Sequence, residues 1–214
     1  MTKIAQQTLA TIVIQHLQAV PVFEKYNLDF CCKGKRTLAE ACTEKGLSIA
    51  AIAAELKQFA SAEEKTQMPF TIMNAEQLIS YILIHHHFYV KQSMPAILGH
   101  LEKVAAKHGE RFPGMVKVYQ LFEAVKEEIG LHMQKEELVL FPRIKEIEKL
   151  LDDNVKKKLA AGYIHGPVSV LEMEHEQTGA LLEEIRRLTN DYTPPADACT
   201  TFKVTLAELK EFEE

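Results

Sequence analysis

The sequence has no excess of basic residues. Its 25 Lys and Arg against 30 Asp and Glu leave a formal charge of -5, which removes the electrostatic case for nucleic acid, since that partner wants a basic face. It has no apolar run near the roughly 20 residues that a membrane span needs. Its opening, Met-Thr-Lys-Ile-Ala-Gln-Gln-Thr, carries neither the uninterrupted apolar core nor the cleavage site of a signal peptide. Cysteine is scarce, and four cysteines with two of them adjacent do not make a secreted disulfide framework. These absences together lead us to expect a cytoplasmic protein with no membrane and no nucleic acid among its partners. Persuasive strand-like alternation is missing too, so the fold class expected is all-α.

A composition that is 47% hydrophobic and 26% charged is ordinary for a globule with a real core. Residues 1–66 read as a compact set of short helices. Leu9 to Val20 carries apolar residues at helical spacing, and Pro21 suits the first turn of a second helix that breaks at Asn27. Thr37 with Glu40 forms a capping box for a helix ending at Gly46, and Ser48 caps another. Ser61 to Pro69 reads as a linker. Residues 67–214 read as four longer antiparallel helices: about Asn74 to Lys107 with a bend at Pro95 or Gly99, Met115 to Leu151, Pro167 to Thr189, and Asp197 onward. With the apolar stripe of each turned inward, they make a bundle.

The chemistry lies on those stripes. His132 and Glu136 sit one turn apart and share the face of Val118, Phe122, Val125, Ile129 and Val139. A carboxylate on an inward face costs several kcal/mol, on the order of a lost ion pair, unless something compensates it, and a metal ion is strong enough to do so. One such pair is a weak signal, because His and Glu four residues apart are common on solvated helices. The first bundle helix adds His87, on the stripe Leu83, His87, Val90, Met94, Ile97, Leu101, Val104, His108, while His85 and His86 fall off it. The third adds His175, in line with Val168, Leu171, Leu182 and Ile185. Three imidazoles and a carboxylate converging inside a bundle suit iron, zinc or manganese. His108 lies 21 residues beyond His87, roughly 30 Å of straight helix, and is left out of the site.

These residues carry a resemblance. His87, the run His132-Met133-Gln134-Lys135-Glu136-Glu137 into Leu140-Phe141-Pro142, and Glu174-His175-Glu176 resemble the hemerythrin-like di-iron fold. Asp29-Phe30-Cys31-Cys32, with Pro194-Pro195 and Ala198-Cys199-Thr200-Thr201, is similar to the iron-sulfur cluster repair proteins, the repair-of-iron-centres family. The resemblance implies a small helical domain with vicinal cysteines before a hemerythrin-like antiparallel four-helix bundle. It implies a non-haem, oxo- and carboxylate-bridged di-iron site, with His87, His132, Glu136 and His175 as ligands and Glu136 bridging. It implies repair of iron-sulfur clusters damaged by oxidative or nitrosative stress, by supplying iron, with the damaged proteins as clients. Such a role is closer to an iron donor than to a turnover enzyme.

Two departures from the family pattern matter. Lys33 stands where the family usually has the first of two glycines after the cysteines, and Gly34 keeps the second. The family's last bundle helix normally supplies a further His-x-x-x-Glu, and Glu214 is reached before that position. Glu208 and Glu211 are poor substitutes, because Phe202, Leu206, Leu209 and Phe212 mark the inward face. The expectation is a site with incomplete ligation that holds iron more weakly than the full pattern.

Cys31 and Cys32 have Cα atoms about 3.8 Å apart, below the usual disulfide range of roughly 4.4–6.8 Å, so a free thiol pair is expected. Lys33, Lys35 and Arg36 nearby favour thiolate. Two readings stand side by side for the pair: redox or iron handling, and inert packing under a turn. Cys42 and Cys199 read as structural. Two further functions compete with repair. One is a module that binds oxygen or nitric oxide, or reduces nitric oxide, on the same iron. The other is a regulator whose first domain contacts DNA, ranked last because Lys25, Lys35 and Arg36 are mixed with Glu24, Asp29, Glu40 and Glu44. Apolar surface on the first domain also offers a homodimer contact.

Overall fold

A computed structural model of the chain describes residues 3–16, 19–30, 33–60, 72–152 and 162–214. Cys31 and Cys32, and the linker expected at Ser61 to Pro69, lie outside the described residues. Among the described residues every extended element is helical, and the only bridge between backbone segments joins Thr8 and Thr37. The chain divides into two compact units, Met1–Pro69 and Phe70–Glu214.

In the first unit a 3-10 turn (Lys3–Gln6) leads into α1 (Leu9–Gln15), followed by α2 (Val20–Lys25), α3 (Leu38–Glu44) and α4 (Ile49–Ala60). The single helix expected over Leu9 to Val20 ends at Gln15 instead: His16 leaves helical geometry at φ -144°, and α2 starts afresh with Pro21 in its first turn. Pro21 has no N–H to donate back into a preceding helix, so a helix start is where it costs least. Thr37 and Glu40 make both halves of the capping box, satisfying two amide donors that the start of a helix otherwise leaves open. The chain before α3 is tied to α1 by Leu9 N–H to Arg36 O (2.9 Å), Ala10 N–H to Gly34 O (3.0 Å) and Leu38 N–H to Gln7 O (3.0 Å). Leu9, Ile12, Val22, Phe23, Leu38, Cys42 and Ile52 are fully enclosed and form the core.

In the second unit α5 (Ala75–Tyr81) begins at a capping box made by Asn74 and Gln77. The Glu148 carboxylate also accepts the N–H groups of Ala75 (2.6 Å) and Glu76 (3.1 Å). The helix passes through a π-helical segment, Ile82–His87, into α6 (Phe88–His108). The departure from α geometry therefore lies before His87, and the helical run continues through Pro95. α7 (Pro113–Lys135) passes through a second π-helical segment, Glu136–Leu140, into α8 (Phe141–Asp152). α9 (His165–Leu188) and α10 (Thr200–Glu213) complete the bundle. α7 packs between α6 and α9, and α10 lies along α6. The pairs His108–Cys199, His100–Glu208 and Tyr89–Phe212 set α10 antiparallel to α6. Met94, Ile97, Leu101, Val118, Phe122, Val125, Ile185, Leu206 and Leu209 form its core.

The second π segment corrects one expectation. Val139 is exposed, and Phe141 is buried in its place, stacked on the His87 ring with centroids 5.8 Å apart. A π turn holds one residue more than an α turn, so every side chain after it rotates by about a quarter to a third of a turn relative to the stripe before it.

Candidate metal centre

Both π segments meet at one place. His87 closes the first, and Glu136 opens the second. His87 is 5% exposed and His132 8%, so two imidazoles are enclosed among apolar side chains. The two oxygens of Glu136 face different rings: Oε2 lies 2.9 Å from His87 Nε2, and Oε1 lies 3.5 Å from His132 Nε2. His175 Nε2 is 2.8 Å from His132 Nε2, with the ring centroids 4.4 Å apart. His132, Glu136 and His175 each bring a ligand atom within 4.8 Å of the others. The structure thus brings together the side chains at 87, 132, 136 and 175. It differs from the sequence reading in one respect: His175 is an exposed residue, although its Nε2 meets the enclosed His132 ring.

The outer nitrogens fix which ring edge turns inward. His87 Nδ1 faces Glu137 Oε1 at 2.8 Å, and His132 Nδ1 faces Glu174 Oε2 at 3.1 Å. A carboxylate accepts and cannot donate, so Glu137 and Glu174 are placed to accept the Nδ1 proton of a ring whose Nε2 binds a metal. Two Nε2 atoms 2.8 Å apart, as in His132 and His175, match neighbouring ligands of one metal, since bonds of about 2.0–2.1 Å at right angles span roughly 3 Å. The donor set of imidazole and carboxylate suits iron, zinc or manganese.

Charge at the site follows from the same contacts. Burial works against the Glu136 carboxylate, but the hydrogen bond and charge of His132, with those of His87, outweigh it and hold the group below the usual carboxylate range. Lys91 holds Glu137 low against a smaller burial penalty, with His87 adding to the effect. For Glu174 burial is again opposed, and overcome, by Lys135 and His132. Three carboxylates thus stand around the three imidazoles, two of them also paired with Lys91 and Lys135.

The other residues singled out in the sequence lie elsewhere. His108 Nε2 is 3.2 Å from Cys199 Sγ at the opposite end of α6. His85 and His86 are exposed beside Tyr81. Glu208 pairs with His100 at 2.7 Å, and Glu211 is exposed. Glu137 and Glu174 stand inside the His132–Glu137 and Glu174–Glu176 motifs, but helical spacing assigns them no role. The signal that could have found them is the rule that a metal-binding histidine keeps an acceptor behind it.

Comparison with known proteins adds a second line of evidence. Residues 78–214 match the family described as Hemerythrin HHE cation binding domain, and residues 5–60 match one described as Domain of Unknown function (DUF542). The iron-sulfur cluster repair protein YtfE of Cronobacter sakazakii is 35% identical over 206 residues, covering 96% of this chain and 86% of that protein. The proteins of the same name from Shigella boydii and Escherichia coli are 33% and 32% identical, each with 96% of this chain and 87% of the relative covered. Among the described residues no helix is long and apolar enough to cross a membrane.

Proposed function

The chain belongs to the hemerythrin-like family of iron-sulfur cluster repair proteins, and from that premise we propose that it binds iron and restores damaged iron-sulfur clusters. In this reading His87, His132, Glu136 and His175 hold a non-haem iron pair that Glu136 bridges, and damaged iron-sulfur proteins are the clients. The observation that carries it is the pair of Nε2 atoms 2.8 Å apart on His132 and His175, beside a carboxylate whose two oxygens face two different imidazoles.

Iron bound here supplies a redox-active Lewis acid and, as cargo, the atom that a damaged cluster lacks. The chain's own residues set how it is held. With iron on the inner nitrogens, Glu137 and Glu174 would accept the ring protons on the outer ones. Phe141 against the His87 ring excludes water from one side. The exposure of His175 leaves the other side open, which gives cargo a way in and out. The same opening admits a small gas, so binding or reduction of nitric oxide is the second reading. Rapid reversible gas binding without iron transfer would favour it.

The test is restoration of an inactivated [4Fe–4S] enzyme by the iron-loaded chain. We expect recovery with the wild-type chain, and with His132→Ala no more recovery than with the iron-free protein. Equal recovery with His132→Ala would overturn the reading.

A further inference from the structure

The two enclosed imidazoles are backed in the same way. His87 Nδ1 and Lys91 Nζ approach one oxygen, Glu137 Oε1, at 2.8 and 2.7 Å. His132 Nδ1 lies 3.1 Å from Glu174 Oε2, and Lys135 Nζ donates to Glu174 Oε1. In each case a histidine and a lysine one turn further along the same helix grip a carboxylate from a facing segment. The two lysines are four and three residues beyond their histidines, on different helices. The arrangement is therefore built twice from unrelated stretches of chain, and it recurs at the two buried rings.

A carboxylate behind a metal-binding imidazole pushes electron density through the ring and strengthens its bond to the metal. An ammonium group on the same carboxylate draws that density back. Resting on the ligand assignment above, we propose that Lys91 and Lys135 are positioning residues that act as counter-charges, weakening the grip of His87 and His132 on iron so that the site can give it up. A protein whose cargo is iron needs this more than one that stores a permanent cofactor. The opposite role, a lysine that only orders the carboxylate, predicts the opposite sign when the lysine is removed.

That sign is the experiment. The full chain is loaded anaerobically with Fe(II), and three variants are compared with it: Lys91→Met, Lys91→Arg and Glu137→Gln. The readouts are the rate at which an excess of a colorimetric iron chelator strips the metal and the midpoint potential of the bound iron. Lys91 lines a groove with Met94 and Met133, and methionine keeps most of the length of the lysine stem without its charge. Lys91→Met should release iron about threefold more slowly, the scale of a half-exposed ion pair, and at a lower potential. Glu137→Gln should release it about tenfold faster, and Lys91→Arg should behave as wild type. Lys135→Met repeats the test at the second ring. Release from both methionine variants as fast as wild type, or faster, would overturn the proposal while leaving the ligand assignment intact. A wild-type chain that takes up no iron would overturn both.

Discussion

Gly34 shows how closely one residue can be constrained. A Cβ there would lie 2.0 Å from the Phe30 carbonyl oxygen and 3.0 Å from the Ala10 Cβ, and the Gly34 carbonyl accepts the Ala10 N–H that ties the loop to α1. Lys33, one residue earlier, is exposed. The departure from the family's two glycines therefore falls at the position with room for a side chain, and the retained glycine at the position without it. Gly34→Ala should destabilise the first unit by about 1–3 kcal/mol, the usual cost of overpacking against backbone, whereas Lys33→Ala should stay within about 0.5 kcal/mol. Hydrogen exchange at the Ala10 and Leu38 amides reads this directly, and equal protection in the two variants would refute it. At the same scale, His87 was legible because one member of a histidine triplet falls on an apolar stripe, and Glu136 because a lone carboxylate does. Glu137, Glu174, Lys91 and Lys135 were not. A charged residue off the stripe looks solvated in one dimension, and only the facing helix reveals what it touches.

Among the elements, the second π segment is where periodicity failed. A 3.6-residue stripe carried through Glu136 assigned Val139 inward, and the extra residue in Glu136–Leu140 gave that place to Phe141. Nothing in the composition of Glu136-Glu137-Leu138-Val139-Leu140 announces the wider turn, which places Glu136 and Glu137 on the two nitrogens of His87. The corner between α9 and α10 falls where Asn190 to Pro195 reads as a turn, but its backbone geometry goes beyond that reading. Asn190, Asp191 and Tyr192 all take left-handed φ values of 50°, 55° and 56°, each costing about 1 kcal/mol or more without a glycine. What holds them is a buried Tyr192, whose hydroxyl donates to Glu213 at 2.6 Å while Arg186 pairs with the same carboxylate. Burial first, then the Glu213 contact, raises the Tyr192 pKa far above the usual tyrosine value. The linkage has one sign. In the unfolded chain Tyr192 ionises near pH 10, while in the folded chain it stays neutral, so its contribution is complete below about pH 10 and declines as pH rises beyond it, by up to about 1.4 kcal/mol per pH unit. Tyr192→Phe should cost about 1 kcal/mol at pH 7 and flatten the alkaline limb of stability measured by urea unfolding from pH 7 to 11. An unchanged limb would refute the assignment.

In the whole molecule, the all-α class is legible because helical spacing of apolar residues needs no tertiary knowledge, and the capping box at Thr37 marks one helix start outright. The sequence reading drew the boundary between residues 66 and 67, and contacts divide the chain between Pro69 and Phe70. Among the described residues one core is built on Leu9, Phe23, Leu38 and Ile52 and the other on Leu101, Phe122, Ile185 and Leu206, with none in common. The four proposed ligands all belong to the second unit. A metal that binds only the folded form stabilises what it binds by mass action, by about 2.7 kcal/mol at a free concentration a hundred times Kd. Fe(II) should therefore raise the unfolding temperature of the second unit by several degrees and leave the first unmoved. Calorimetry with and without iron, with hydrogen exchange to assign each transition, checks this. His132→Ala should abolish the shift without altering the first transition. If iron moved both transitions equally, stability would be shared between the units, and the metal's hold on the fold would extend beyond the helices that carry its ligands.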